Sequence, residues 1–354
     1  MKPPPRNSIA AGLMRRALKA AVCMPRRLAE TIYGPAPTND RGASLDWQTH
    51  VLLSVLEGAG QPELHELGVA EAREVYTRAN HLFDVAPRPM HAVEDHEFSG
   101  PLGQISARLY RPRPGRLPGC VFFHGGGFVI GDLDGYDGVC RMLAERGDMV
   151  VISVDYRLAP EHPFPGPVDD CVAAFRAIRD RADGLGLDPH RLVVAGDSAG
   201  GNLATVLCQQ LVKEQEELPI YQMLIYPKAD QRERGDYASR ELFADGFFLT
   251  SSMVDWFSRT YLPDADVAAD PRVSPSCFED LHLLPPAHVI TAGFDPLRDE
   301  GEAYADRLAK SGVRVTRQCC SQLVHGFVSM GGVIDAAAHA VADMADVLRE
   351  EFRR

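Results

Sequence analysis

The chain has no run of about 18 apolar residues, the length a helix needs to cross a bilayer, so a helical membrane span is excluded. It has no CxxC pair, no HExxH and no dense His/Asp cluster, which removes zinc sites and thiol-redox motifs from consideration. The glycine spacings that cradle nucleotide phosphates, G-x-x-x-x-G-K-[ST] and G-x-G-x-x-G, are also missing. Basic residues are the minority, 37 Lys+Arg against 49 Asp+Glu, for a formal charge of -12. With no basic run interleaved with aromatics to offset that charge, nucleic acid is not an expected partner. The eight cysteines are scattered, mostly in segments that read as strand or helix, as in a reduced, cytoplasmic protein.

What remains is ordinary globular composition: 354 residues, 45% hydrophobic and 24% charged. A chain of this size buries about three quarters of its unfolded surface and holds a core without disulfides or metal. Its length suits two domains or one large α/β domain. The charge is uneven, because residues 1–28 carry seven basic residues and no acid. Lys19 interrupts the apolar stretch there, so no export signal is expected. Ile9, Leu13, Ala17 and Ala20 fall near helical spacing, giving a basic amphipathic helix. Two readings stand: a helix packed on the domain, or weak contact with a membrane surface that the function does not require.

Residues 1 to about 90 read as helical with Pro and Gly punctuation, and Met90–Tyr110 alternates like strands. Short apolar runs then recur at Cys120–Phe123, Met149–Val154, Leu192–Ala195, Gln222–Tyr226, Ala287–Ala292 and Val313–Arg317. Helical stretches between such runs predict βαβ units, hence a mostly parallel sheet with helices on both faces. The long gap between Tyr226 and Ala287 holds Phe243, Phe247, Phe248, Trp256, Phe257 and Tyr261. An aromatic insertion after a strand end reads either as a substrate-pocket wall or as a packing layer.

Gly196-Asp197-Ser198-Ala199-Gly200 fits G-x-S-x-G between an apolar strand and a helical pattern. That context is the nucleophile elbow, a turn so tight that flanking side chains would collide and the serine hydroxyl stands above the sheet at a helix N-terminus. His124-Gly125-Gly126-Gly127-Phe128 follows another strand. Its glycines let backbone N–H groups approach a ligand and, with the N–H of Ala199, predict an oxyanion hole; spacing does not decide which of Gly125, Gly126 and Gly127 donate. His124 is read as ordering this loop. A serine needs a base oriented by a carboxylate, following in the order Ser, Asp/Glu, His at strand ends. Asp295 ends the run Ala287–Ala292, 97 residues after Ser198, and His325 comes 30 residues later, after the last strand. Asp299 and Glu300 are rivals for the acid role but fall inside the next helix.

These motifs, with Asp155–Pro165, Asp295-Pro-Leu-Arg-Asp-Glu-Gly301 and His325-Gly-Phe327, resemble the hormone-sensitive-lipase-like family of α/β-hydrolases over roughly residues 90–350. The resemblance implies an α/β-hydrolase fold with a helical cap: residues 1–75 as an N-terminal cap segment, 76–354 as the catalytic domain, and a cap insertion at about 231–262. It implies a carboxylesterase that needs no metal or cofactor, acting on small-molecule esters of short to medium acyl chains. Ser198 would be nucleophile, His325 base and then acid, Asp295 its partner, and Phe128, Phe247 and Phe248 substrate contacts. The resemblance also implies a monomer or homodimer. Amide hydrolysis and long-chain lipase activity are the competing enzymatic readings. A non-catalytic receptor of this fold would lose the histidine that stands here as His325. Replacing Ser198→Ala is expected to lower kcat by roughly 10⁴–10⁶-fold, measured on a p-nitrophenyl ester; retention of more than about a tenth of wild-type turnover would remove Ser198 from the nucleophile role.

Overall fold

The computed structural model describes residues 9–232 and 237–354. Four helices come first: α1 (Ile9–Val22), α2 (Arg26–Tyr33), α3 (Trp47–Gly58) and α4 (Val69–Phe83). Eight strands then form one sheet: β1 (Ala92–Gly100), β2 (Gly103–Arg111), β3 (Leu117–Phe123), β4 (Val150–Asp155), β5 (Leu187–Asp197), β6 (Tyr221–Ile225), β7 (Ala287–Phe294) and β8 (Val315–Val324). Between and after them lie α5 (Asp137–Gly147), α6 (Gly166–Asp180), α7 (Ala199–Lys213), α8 (Ser239–Leu242), α9 (Ser251–Tyr261), α10 (Arg298–Lys310) and α11 (Asp335–Glu351). The strand order is β1-β2-β4-β3-β5-β6-β7-β8, with β1–β2 and β2–β4 antiparallel and every later pair parallel. This is the mostly parallel sheet the apolar runs predict, in the α/β-hydrolase arrangement the family resemblance implies.

The parallel strands are apolar on both faces because both faces are covered. Cys120 and Phe122 of β3 join the cluster under α5 and α11, whereas Val121 and Phe123 join the cluster under α6, α7 and α10. Every residue of β3, β6 and β7 is buried. The edge strand β8 differs: its exposure alternates, and only Leu323 and Val324 are buried. That pattern carries no continuous apolar run, which is why the run legible in the sequence stops at Arg317 while the strand continues to Val324. The Cys319-Cys320 pair is therefore mid-strand, with Cys320 opposite Ala292.

Two register details aim the strand ends. Between Ala292 and Phe294 the pairing of β7 with β8 shifts, so that Phe294 meets Val324. A bulge of this kind re-aims the residues that follow it, and here it brings Asp295 and His325, each just past its strand, side by side. Gly293 permits the bulge, since a Cβ there would lie 2.0 Å from the Ser321 carbonyl oxygen. The N-terminal segment packs against the same place: Asn39 Nδ2 donates to the Gly293 carbonyl at 3.2 Å, and the Asp46 N–H donates to Gln322 at 2.8 Å.

Candidate active site

The elbow at Ser198 follows from steric necessity. Ser198 sits at φ 56°, ψ -117°, between β5 and the first turn of α7. A Cβ at Gly196 would lie 2.3 Å from the Gly200 carbonyl oxygen, and one at Gly200 would lie 1.9 Å from that of Phe123. No side chain fits either position, so the turn closes tightly and the Ser198 hydroxyl projects above the sheet. Strain of about 1–3 kcal/mol at such a residue persists only where its surroundings over-determine it. Here the Ser198 N–H donates to Ile225 at 2.8 Å, and the Ser198 carbonyl accepts from Lys228 at 3.1 Å.

His325 Nε2 lies 2.9 Å from Ser198 Oγ, and its Nδ1 lies 2.8 Å from Asp295 Oδ2. Asp295 is fully buried, and its second oxygen accepts the Leu297 N–H at 2.7 Å. The rivals are occupied elsewhere. Asp299 pairs with Arg298 and Arg41, and Glu300 with Lys228 and Arg240. Glu300 also accepts the Ala229 N–H at 2.9 Å, which makes it a strap under the chain leaving β6.

The glycine loop divides its N–H groups between two tasks. The Gly125 N–H donates to Asp197 Oδ1 at 2.7 Å and to the Tyr136 hydroxyl oxygen at 3.1 Å, so it is not free for an oxyanion. This corrects its inclusion among the expected donors. The N–H groups of Gly126, Gly127 and Ala199 find no protein acceptor among the described residues. Ala199 opens α7, where helix geometry leaves the N–H unpaired and the dipole favours negative charge. His124 is buried, stacked on Tyr156 at 4.4 Å, and its Nδ1 is 2.7 Å from the Gly125 carbonyl.

Asp197 is the residue sequence reasoning left without a role. Its Oδ2 accepts the hydroxyls of Tyr136 at 3.1 Å and Tyr226 at 3.2 Å, while Oδ1 holds the Gly125 N–H. One buried carboxylate thus fixes the glycine loop, β6 and the elbow to one another. Burial raises its pKa above the usual carboxylate range, partly offset by His325 and the Gly125 N–H. A raised carboxyl pKa means the charged form opposes folding at neutral pH, an opposition that lifts as pH falls through it. Asp197 therefore does not drive acid unfolding. The motif position x in G-x-S-x-G carries no signal for this task.

An apolar cleft of about 70 Å³ opens over Ser198, lined by Leu64, Phe248, Leu249, Met253, Phe257 and Leu297 among others. Beyond Leu64, Tyr76, Phe248 and Met253 lies a larger groove of about 450 Å³ that reaches Leu53 and Leu56 of α3 and Ala79 of α4. Of the three aromatics expected to touch substrate, Phe128 borders the cleft but is buried and stacked on Tyr261 at 3.8 Å. Phe248 lines both spaces at φ 72°. Phe247 does not line the cleft: it packs on Phe243 at 5.4 Å and Phe294 at 5.3 Å. The left-handed backbone at Phe248 sends these sequence neighbours to different surroundings. Leu64 and Tyr76 show that the N-terminal helices wall the site, and Arg73 of α4 ties them down. It bonds the carbonyls of Val129 and Ala159 and pairs with Glu161, whose carboxyl it holds at about 2.

Asp197→Asn must turn an amide N–H toward the Gly125 N–H or the two tyrosine hydroxyls, leaving a buried donor unmatched at a cost of about 1–3 kcal/mol. Steady-state kinetics should show kcat reduced by about 10²-fold with KM little changed, and thermal unfolding should shift down. An unaltered kcat would show that the loop holds its place without this carboxylate.

The model of the alpha/beta hydrolase fold family matches residues 120–329. The carboxylic ester hydrolase LipN of Mycobacterium tuberculosis is 40% identical, over 88% of this chain and 85% of its own. The ethyl acetate hydrolase of Pseudomonas putida is 34% identical, over 82% of this chain and 92% of its own. Among solved structures, an ester hydrolase from the metagenome of Lake Arreo, bound to a bipyridine phosphonate derivative, is 43% identical. It superposes with a TM-score of 0.85, covering 88% of this chain and 100% of that one. The hyperthermophilic esterase of Pyrobaculum calidifontis is 40% identical with a TM-score of 0.80, covering 85% of this chain and 97% of its own. Extensive identity, shared fold and matched family model agree: the chain belongs to the α/β-hydrolase fold family, in its hormone-sensitive-lipase-like branch.

Proposed function

We propose that this carboxylic-ester hydrolase cleaves short- to medium-chain acyl esters through Ser198, His325 and Asp295 and an acyl-enzyme intermediate. The observation that carries the proposal is the continuous hydrogen-bonded line Asp295–His325–Ser198 beside the free N–H groups of Gly126, Gly127 and Ala199. His325 takes the Ser198 proton as Oγ attacks the ester carbonyl. The oxygen of that carbonyl gains negative charge within reach of the three N–H groups, which stabilise it more than the ground state. His325 then gives its proton to the departing alcohol. Water, deprotonated by the same imidazole, attacks the acyl-enzyme carbonyl; the bond to Ser198 Oγ then breaks, Oγ takes the proton back from His325, and the acid is released. Asp295 holds the imidazole with Nδ1 protonated and faces the positive charge that appears on it. Each step runs on protein groups alone.

The helices preceding β1 and the insertion at about 231–262 serve as the cap that sizes the pocket. Phe248 is its inner wall, with Phe128 as a brace behind it. A cleft of about 70 Å³ is small beside the about 300–1,000 Å³ of drug-sized ligand pockets, and it favours short acyl chains. The enzyme works in the cytoplasm as a monomer or homodimer. No helix among the described residues is long and apolar enough to cross a membrane, and the chemistry requires no membrane.

Initial rates on p-nitrophenyl esters from acetyl to palmitoyl should peak at short or medium chains. Phe248→Gly removes the wall while suiting the left-handed backbone, so the decanoate-to-butyrate ratio of kcat/KM should rise by about tenfold or more. An unchanged ladder would take Phe248 out of chain selection, and a wild-type peak at palmitate would replace esterase with lipase. In a kcat/KM profile against pH, activity should fall on acidification, because only neutral imidazole accepts the Ser198 proton. A rate that does not fall on acidification would refute a histidine base.

A further inference from the structure

The outward face of the first two helices is built unlike the rest of the surface. On α1, Leu13, Met14, Ala17 and Ala20 are exposed, and so are Arg16 and Lys19. At 100° per residue, Leu13, Ala17 and Ala20 share one side, with Arg16 and then Lys19 next to it on one flank and Met14 on the other. On α2, Leu28 and Ile32 stand four apart on one side and are exposed; Arg26 and Arg27, which precede them in the chain, are exposed too. The inward side is conventional: Val22 and Ala29 are buried, and Arg15 turns in to donate to the His81 carbonyl. Both helices pack on α3.

Four of the nine large hydrophobic side chains exposed among the described residues, Leu13 at 59%, Met14 at 55%, Leu28 at 49% and Ile32 at 56%, lie within these 20 positions. Apolar exposure concentrated in this way marks an interaction surface, whereas isolated exposed leucines do not. Charge identifies the partner. Between Ile9 and Tyr33 stand five basic residues and one acid, Glu30, which pairs with Arg26 at 2.8 Å. Arg16, Lys19 and Arg27 have no carboxylate within ion-pair distance among the described residues, in a chain whose net charge is -12. A protein that is acidic overall and repelled by anionic surfaces keeps one cationic, apolar face.

We propose that α1 and α2 dock the enzyme reversibly on an anionic phospholipid surface. Leu13, Met14, Leu28 and Ile32 would enter the acyl boundary, with Arg16, Lys19 and Arg27 at the headgroups. A helix with an apolar stripe and flanking basic residues lies in the interface plane and does not span it. Each basic residue near an anionic leaflet contributes about 1 kcal/mol, and salt screens that contribution. Docking of this kind would bring the enzyme to esters that partition into membranes, and it stands independently of the acyl-chain reading.

Co-sedimentation of the full chain with large vesicles of phosphatidylcholine, with and without phosphatidylglycerol, tests this directly. Binding is expected to the anionic vesicles at low salt and to be lost at high salt. Arg16→Gln with Lys19→Gln should weaken partitioning by about 30-fold, following the per-charge contribution. Leu13→Gln with Ile32→Gln should abolish it. Both variants should keep wild-type kcat on a soluble acetate ester, which verifies that they fold. Equal recovery with neutral and anionic vesicles, or no binding by the wild type, would overturn the proposal. So would sedimentation equilibrium showing a dimer that Leu13→Gln with Ile32→Gln dissociates, since the face would then join copies of this chain.

Discussion

The contact on which the site depends is the approach of the first turn of α7 to the end of β3. With a hydrogen in place of a side chain at Gly200, the helix sits so close that any Cβ would overlap the Phe123 carbonyl. The same closeness lifts Ser198 and sets the N–H of Ala199 beside the glycine loop that leaves β3. Nucleophile and oxyanion donors are thus placed by one packing event. Gly196 permits it from the strand side, and the parallel pairing of β3 with β5 keeps the two ends level, with Phe123 opposite Gly196.

A second device fixes what the first brings near. The glycine loop needs conformational freedom to aim its N–H groups, with Gly126 at φ 115° and Gly127 at φ 60°, and a loop of that kind has few side chains to hold it. Asp197 takes that task by accepting one of its three glycine N–H groups and leaving the others unpaired. A carboxylate is costly to bury, and the cost is met with three donors, two of them tyrosine hydroxyls. The gain is rigidity at the position where charge develops, where preorganised donors are worth most.

Much of this is legible in the sequence, and the limits are physical. Buried parallel strands announce themselves as apolar runs, so β4, β6 and β7 are legible to within two residues of their ends, and β3 only from Cys120 onward because Pro118 and Gly119 interrupt its run. Order along the chain brought Asp295 and His325 forward as partners, because strands that end on one edge of a sheet must present their following residues together. The edge strand β8 was cut short because half-exposed strands have no apolar run. Its bulge against β7, which aligns the two residues, has no signature beyond Gly293. Three consecutive glycines look alike in sequence, so nothing distinguished Gly125 from its neighbours until Asp197 was seen to engage it. Phe247 and Phe248 are adjacent and chemically equal, and only the left-handed backbone of the second separates packing from lining.

The N-terminal helices draw these threads together, because their inner side is part of the site and their outer side is not. Tyr76 lines the cleft, Arg73 clamps the carbonyl of Val129 just after the glycine loop, and Asn39 caps the bulge that aims Asp295. Arg15 fastens α1 to the carbonyl of His81 in α4. A segment tied at so many points to the catalytic elements cannot be a loose appendage, and an ordinary surface helix of such a segment would turn charge outward and keep its leucines within. The outward leucine, methionine and isoleucine of α1 and α2 break that rule while the inward positions obey it. Their exposure therefore follows from what meets that face and not from a failure to pack.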